Sequence, residues 1–484
     1  MAKARFIMSW GRTYDTQGKQ VSMLMKRFMA NRTKALLYDP QGMGNYFTYR
    51  EAIDILGLDH TEVYKEGRID LDPAEYSDLG WMCSYVGPPE SAVEAMRAAV
   101  KAENIGPYPP DLLGELRDLA AQVKFRRERG PDFEVIGVEG AQGGIGFTLL
   151  SYVNPGDEVI MTDPAYFHFA PACHIPGGIP VRIPLRKENH FRYDIDEIRR
   201  HITTRTKMII VTDPINPFGT VQSREFDLEL LKLAWDHDIM VFNNITHNTY
   251  QIDPNVKQYP LASLKGEAPV DHVISTSGMS KGYGMAALRL GFLAGHPDLL
   301  KAAALTKMEI TKIHTNLIAQ YGAVAALRDK EYVRKSQEIM RRNIVHVKET
   351  VRMTPSLSMP VAPEYGFSCV IDVTGTEVTA QELCVALFKR KVAVYAGDGL
   401  GDVGAHEHIR INFSRPDMWA FEKLRAELPD AIKEAQTGCY REGVVKFFKE
   451  GQTERGRHII AAVEANEERR RRLVPASGWV PASR

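Results

Sequence analysis

The chain of 484 residues carries 61 Lys plus Arg against 61 Asp plus Glu, with 44% hydrophobic and 25% charged residues. That length supports two or three domains' worth of core, and the balanced charge gives no overall field to favour nucleic acid or an anionic membrane. No apolar run approaches the length of a membrane span, and the start, MAKARFIMSWGRTYDTQGK, has no apolar stretch long enough for a secretory signal. The cysteines (Cys83, Cys173, Cys369, Cys384 and Cys439) are scattered, with no C-x-x-C pair. The expectation is a cytoplasmic protein in a reducing compartment, with neither a disulfide framework nor a zinc cluster.

In chain order, the first hundred residues are expected to return and pack beside a later, smaller domain. From there the chain alternates short apolar strands with helical patterns: EVIGVEG, then GGIGFTLLSYV, DEVIMTD, KMIIVTD, REFDLELLKLAWDH, IMVFNN and HVISTS. Such alternation predicts an α/β domain with a mostly parallel sheet covered on both faces, and ligands bind such sheets beyond the carboxyl ends of the strands. After about residue 335 the texture changes. A long helix, KEYVRKSQEIMRRNIVHVKETVRM, leads to GFSCVIDV, VAVYAG and HIRINFS, which read as the sheet of a smaller α+β domain. The predicted division is an N-terminal extension with part of the small domain over 1–104, a large domain over 105–330, the rest of the small domain over 331–435, and a charged helical tail over 436–484. The run EERRRR in that tail reads as solvated.

Four segments carry residue types that chemistry requires. In EGAQGGIGF the chain leaves a strand and opens a helix, so the backbone N–H groups of Ala141 and Gln142 are candidates to hold a phosphate. A glycine-rich turn of this kind is more often tight packing than a site, and the G-x-G-x-x-G order of a dinucleotide fold is not met. In TDPINPFGT, Asn216 lies between prolines, which stiffen the backbone and aim its amide. In SGMSKGYGMAALRLG, small residues surround Lys281, a lysine able to form a Schiff base, and Arg289 follows with a fork suited to phosphate. In HIRINFS, Arg410 sits within an apolar strand pattern, where a cation needs an anion such as a substrate carboxylate.

Taken together, these motifs resemble those of the aspartate-aminotransferase superfamily, the fold-type I enzymes that use pyridoxal 5′-phosphate, over residues 77 to 430. The resemblance implies that Lys281 is the Schiff-base lysine and proton shuttle and that Arg289 holds the phosphate. It places Asn216 of NPFG on the phenolic oxygen and Tyr166 of NPGDEVIMTDPAYFHF on the pyridine ring. It also implies that Arg410 binds the α-carboxylate of an amino-acid substrate. In YPPDLLGELRDLAA it makes Tyr108 the residue that reaches the cofactor of a neighbouring subunit, and so implies a homodimer. Small residues around Lys281 then make room for the cofactor.

The chain departs from the family pattern at two places. The strand after N-P-x-G normally ends in Asp-x-x-Tyr; here IMVF runs into NNITHNTYQ, which puts Asn244 and His247 at those positions, or His247 and Tyr250 if the register slips by three. Neither register supplies the aspartate that keeps the pyridine nitrogen protonated. Gly278 also stands where many relatives carry a phosphate-binding serine, with Ser277 and Ser280 as nearby substitutes. An aminotransferase is the first expectation. Decarboxylation, β- or γ-elimination or replacement, and oxidative deamination on the same cofactor are the alternatives, and a non-catalytic regulator is the third.

Overall fold

The computed structural model describes residues 30, 47–59, 64–65, 68–69, 71–451 and 454–473. Seven strands form the central sheet: β1 (Glu134–Val138), β2 (Glu158–Asp163), β3 (Ile179–Pro184), β4 (Thr206–Thr212), β5 (Met240–Asn244), β6 (Val273–Gly278) and β7 (Gly291–Gly295). Their order across the sheet is β1-β7-β6-β5-β4-β2-β3, and β7 alone runs antiparallel to its neighbours. Side chains alternate between the two faces. Met208 and Ile210 join one core cluster while Ile209 and Val211 join another, and Ile274 and Val273 divide in the same way. Both faces are therefore buried, which is why these strands read as continuous apolar runs.

After α1 (Tyr49–Leu56), the helices that cover the sheet are α2 (Gly114–Phe125), α3 (Gly140–Tyr152), α4 (Arg224–Asp236), α5 (Pro297–Thr311) and α6 (Leu317–Arg328). On one face α3 supplies Ile145 and Leu149 and α5 supplies Leu300 and Ala303; on the other α4 contributes Leu230, Leu231 and Ala234. Burying a side chain of this size is worth about 1.5–3 kcal/mol.

The smaller layer begins with α7 (Lys330–Arg352), whose Met340, Ile344, Val347 and Val351 form a buried stripe at helical spacing. It leads to β8 (Ser368–Asp372), α8 (Ala380–Lys389), β9 (Tyr395–Ala396), β10 (His408–Asn412) and α9 (Trp419–Gln436). β10 lies between β8 and β9 in an antiparallel sheet. The N-terminal chain returns here. Helix α1 (Tyr49–Leu56), held by a Thr48/Glu51 capping box, buries Tyr49 and Ile53 in the small-domain core, and Ser77–Asp78 pairs with Val392–Ala393.

The charged tail packs against the small domain. Helices α10 (Arg441–Gly451) and α11 (Glu454–Leu473) bury Val444, Phe448, Ile459 and Val463 in the same core. Within EERRRR, Arg471 and Arg472 do face solvent, but Arg470 turns inward and donates to the carbonyl of Glu377. An apolar residue every three or four positions outweighs the charge density in deciding which face docks. No described helix is long and apolar enough to cross a membrane.

Candidate active site

At the carboxyl ends of β4, β5 and β6 lies a cavity of about 260 Å³, bounded on its far side by the small sheet. Ala141, Gln142, Tyr166, Asn216, Asn244, His247, Lys281, Arg289 and Arg410 all line it. Tyr108 does not. It is 84% exposed and its ring stacks on His314 at 5.2 Å, on the surface of this chain.

One end of the cavity is built for an anion. Helix α3 starts at Gly140 with no side-chain cap at Glu139, so its first-turn N–H groups carry the positive end of the helix dipole uncapped. Arg289 lies over this terminus, donating from Nη1 to the Ala286 carbonyl at 3.0 Å and from Nη2 to the Glu139 carbonyl at 3.1 Å. Gly140 permits that approach: its φ is +69°, and a Cβ there would stand 2.6 Å from Arg289 Nη2. Ser280 also lines the cavity, whereas Ser277 is fully buried and outside the lining.

Lys281 follows β6 on a single turn of helix, Met279–Gly282, and its Nζ donates to the carbonyl of Met82. Burial pulls its pKa down to about 8; Cys83 opposes this, and the positive charges of Arg410 and then Arg289 add to it. The small residues nearby divide their work. Gly278, Ser280 and Ala286 border the cavity, while Gly282 packs against Thr249, with no room for a Cβ between them.

Asn244, at the last position of β5, is 4% exposed. Its Oδ1 accepts from the Thr246 backbone N–H at 3.1 Å and from Thr246 Oγ1 at 2.5 Å. A backbone N–H only donates, so the accepting atom is the amide oxygen and the amide NH2 is the free end. His247 is held neutral: burial, followed by the charges of Lys281 and Arg410, lowers its pKa to about 3. Tyr250 is fully buried with its hydroxyl on the Gly282 carbonyl at 2.5 Å and does not line the cavity. The side chains that the β5 end presents are therefore Asn244 and His247. Asn216 arrives on the loop after β4, where Gly219 N donates to the Ile215 carbonyl at 2.6 Å, and its buried Oδ1 has no protein partner.

At the opposite end, Arg410 occupies the middle of β10, 6% exposed, with Nη2 on the Gly80 carbonyl at 3.2 Å and its guanidinium 5.1 Å from the Tyr395 ring. Trp81, Met82, Phe167, Tyr395 and Leu400 complete this end, and none of them stands out in the sequence. The β9–β10 register sets Tyr395 opposite Arg410. All the cysteines are free, and no cluster of His, Cys, Asp or Glu among the described residues could hold a metal ion.

The sequence profile of the family described as aminotransferase class I and II matches residues 70–424. An aspartate aminotransferase of Pyrococcus abyssi is 30% identical over 323 residues, which cover 66% of this chain and 81% of that protein. An aromatic-amino-acid aminotransferase 2 of Thermococcus litoralis is 30% identical over 329 residues, with the same coverage of 66% and 81%. Among solved structures, a double mutant of Thermus thermophilus aspartate aminotransferase superposes with a TM-score of 0.71 at 21% identity, covering 83% of this chain and 99% of that one. An aromatic aminotransferase from Pyrococcus horikoshii gives a TM-score of 0.66 at 25% identity, covering 79% and 99%. The chain belongs to the class I and II aminotransferase family, with the fold-type I architecture of its structural neighbours.

Proposed function

We propose that this class I and II aminotransferase family member is a pyridoxal-phosphate enzyme that transaminates an α-amino acid, with Lys281 as its central residue. One observation carries the reading. A half-buried lysine with a lowered pKa sits in a single cavity between an uncapped helix terminus with an arginine over it and a second, buried arginine.

The donor set fits the cofactor. Arg289 and the N–H groups of Ala141 and Gln142 would hold the phosphate. Tyr166 would cover one face of the ring, and the Asn216 side chain, which lines the cavity, would donate from Nδ2 to the phenolic oxygen. When bound, pyridoxal phosphate supplies an aldehyde that binds an amino nitrogen covalently and a ring that draws electrons from the substrate Cα.

The chain's own residues do the rest. Arg410 binds the α-carboxylate and fixes the orientation of Cα. Lys281 Nζ, whose charge burial disfavours, would take the proton from the substrate Cα and return it two atoms along, to the carbon across the amino nitrogen. Asn244 offers the ring nitrogen a donor where relatives are expected to offer a carboxylate. A donor favours an unprotonated nitrogen, so this chain works with a weaker electron sink. A homodimer, with Tyr108 contributing to the neighbour's cavity, completes the proposal.

The test is a single-turnover reaction of the reconstituted protein with a panel of L-amino acids. The expected result is one equivalent of 2-oxo acid and conversion of the cofactor to its amine form. Release of carbon dioxide or ammonia without the amine form would sink the aminotransferase reading.

A further inference from the structure

The stretch 397–403 between β9 and β10 is one turn of 3-10 helix, Gly397–Gly399, followed by irregular chain. Its Gly399 and Leu400 form part of the cavity wall beside Phe167 and Tyr395. On the cavity side it is tied to the large domain: the Leu400 carbonyl accepts from Ala165 N at 2.9 Å, and Asp163 Oδ1 accepts from Asp402 N at 2.8 Å and Val403 N at 3.1 Å. Gly401 allows this seat, since a Cβ there would stand 2.1 Å from Asp163 Oδ1.

On the other side the loop is held by Gln381 and by two residues outside the family match of 70–424, Phe47 and Arg455. Asp398 is fully buried and accepts from Phe47 N at 2.7 Å and from Gln381 Nε2 at 2.8 Å. Arg455, at the start of α11 and 4% exposed, donates from Nη1 to the Asp398 carbonyl at 2.6 Å and from Nε to Asp402 Oδ1 at 2.6 Å. Burying a guanidinium costs solvation that its hydrogen bonds must offset; Nη2 has no protein partner, so the compensation at Arg455 comes from the two bonds it makes to the loop. The apolar side of α11, through Ile459 and Val463, fixes where that arginine starts from.

We propose that Arg455 is a positioning residue for substrate binding: the C-terminal helix holds the 397–403 loop against Asp163 and so sets the wall that Gly399 and Leu400 present to the substrate. The inference rests on the aminotransferase reading for its substrate arm only. The helix beyond the family core thus has a task at the active site, although it supplies no atom to the cavity lining. Loosening the loop leaves the phosphate end and Lys281 untouched, so the effect falls on KM and spares both cofactor binding and the chemical step.

The experiment compares Arg455→Ala, Arg455→Lys and Asp402→Asn with wild type as full-length holoenzyme, by hydrogen exchange and by steady-state kinetics. Arg455→Ala should speed amide exchange at 402 and 403 by about tenfold or more, with exchange in β4 to β6 unchanged. It should raise the amino-acid KM about tenfold, as loss of two charge-assisted bonds implies, with kcat held within about twofold. Arg455→Lys, which keeps the charge but not the fork, should recover part of the loss. Should Arg455→Ala fail to fold, Asp402→Asn removes the partly exposed carboxylate of the pair and must show the same split. Unchanged exchange in the loop overturns the clamp. Faster exchange with unchanged KM overturns its link to substrate. A wild-type holoenzyme that converts no amino acid overturns the parent reading instead, and the exchange measurement still decides the clamp.

Discussion

The two ends of the cavity are built in different ways. At the Lys281–Arg289 end the lining residues lie on connections that follow strands of one sheet: Ala141 and Gln142 after β1, Asn216 after β4, and Lys281 and Arg289 on the segment joining β6 to β7. At the Arg410 end the wall is assembled from Trp81 and Met82, Phe167, Tyr395, Leu400 and Arg410, brought from both domains, and Phe47 and Arg455 from the extensions bond Asp398 behind it. A rigid parallel sheet holds one end and a set of loops the other. The first arrangement suits a group that does not change from substrate to substrate; the second suits the part of the site where specificity is set.

The largest effect should come from the residue the two ends share. Lys281→Ala should abolish both the visible absorbance of the lysine-bound cofactor and the activity, in a protein with an unchanged circular dichroism spectrum. Next comes the substrate end. Arg410→Ala removes a buried charge from the carboxylate site and should lower kcat/KM by about 2–4 kcal/mol with cofactor affinity kept. Cofactor loss in step with kcat/KM would erase the distinction between the ends. Gly140→Ala probes the phosphate end alone. Its φ of +69° costs an L-residue about 1–2 kcal/mol, and the added Cβ displaces the Arg289 guanidinium. Equilibrium dialysis should find cofactor affinity down about tenfold, with the amino-acid KM unchanged at saturating cofactor.

The smallest effect is one of pH. Burial disfavours the ammonium of Lys281 and brings its pKa from 10.5 to about 8, so the neutral amine gains as pH rises through 8. Capture of pyridoxal phosphate by the apoprotein, followed by stopped-flow absorbance, should therefore rise about tenfold per unit below that value and level off above about pH 9. A rate still climbing at pH 10 would describe an ordinary, solvated lysine.

This division also explains what the sequence disclosed. Strand-to-helix turns have local signatures, so Gly140 to Gln142, NPFG and the Lys281–Arg289 pair were legible as motifs, and the alternation of strands and helices gave the α/β fold. Arg410 was legible because a cation interrupts an apolar strand. Trp81, Leu400 and Arg455 carry no such mark; their role exists only once distant segments meet. The antiparallel β7 was hidden for a related reason, since its glycine-rich run Gly291–Gly295 lacks the β-branched residues that announce a strand. At β5 the sequence left two registers open, and the hydroxyl of Tyr250 on the Gly282 carbonyl is the contact that takes Tyr250 out of the cavity. The buried face of α11 was masked by its charge. Arginines such as Arg455 and Arg470 look like solvated surface until the acceptors that hold them, Asp402, Asp398 and Glu377, are in view.

The central claim is that pyridoxal phosphate is carried on Lys281. The direct measurement is reconstitution with pyridoxal phosphate, reduction with borohydride, and mapping of the modified peptide by mass spectrometry. The chain offers its own control in Lys124, which is buried, bonded to Thr249 Oγ1 at 2.8 Å and lowered by burial to a pKa of about 7, but lies outside the cavity. The account predicts one stoichiometric phosphopyridoxyl group on Lys281, with Lys124 unmodified. Stoichiometric label on Lys124 or on any other lysine, or no reducible linkage at all, would contradict it.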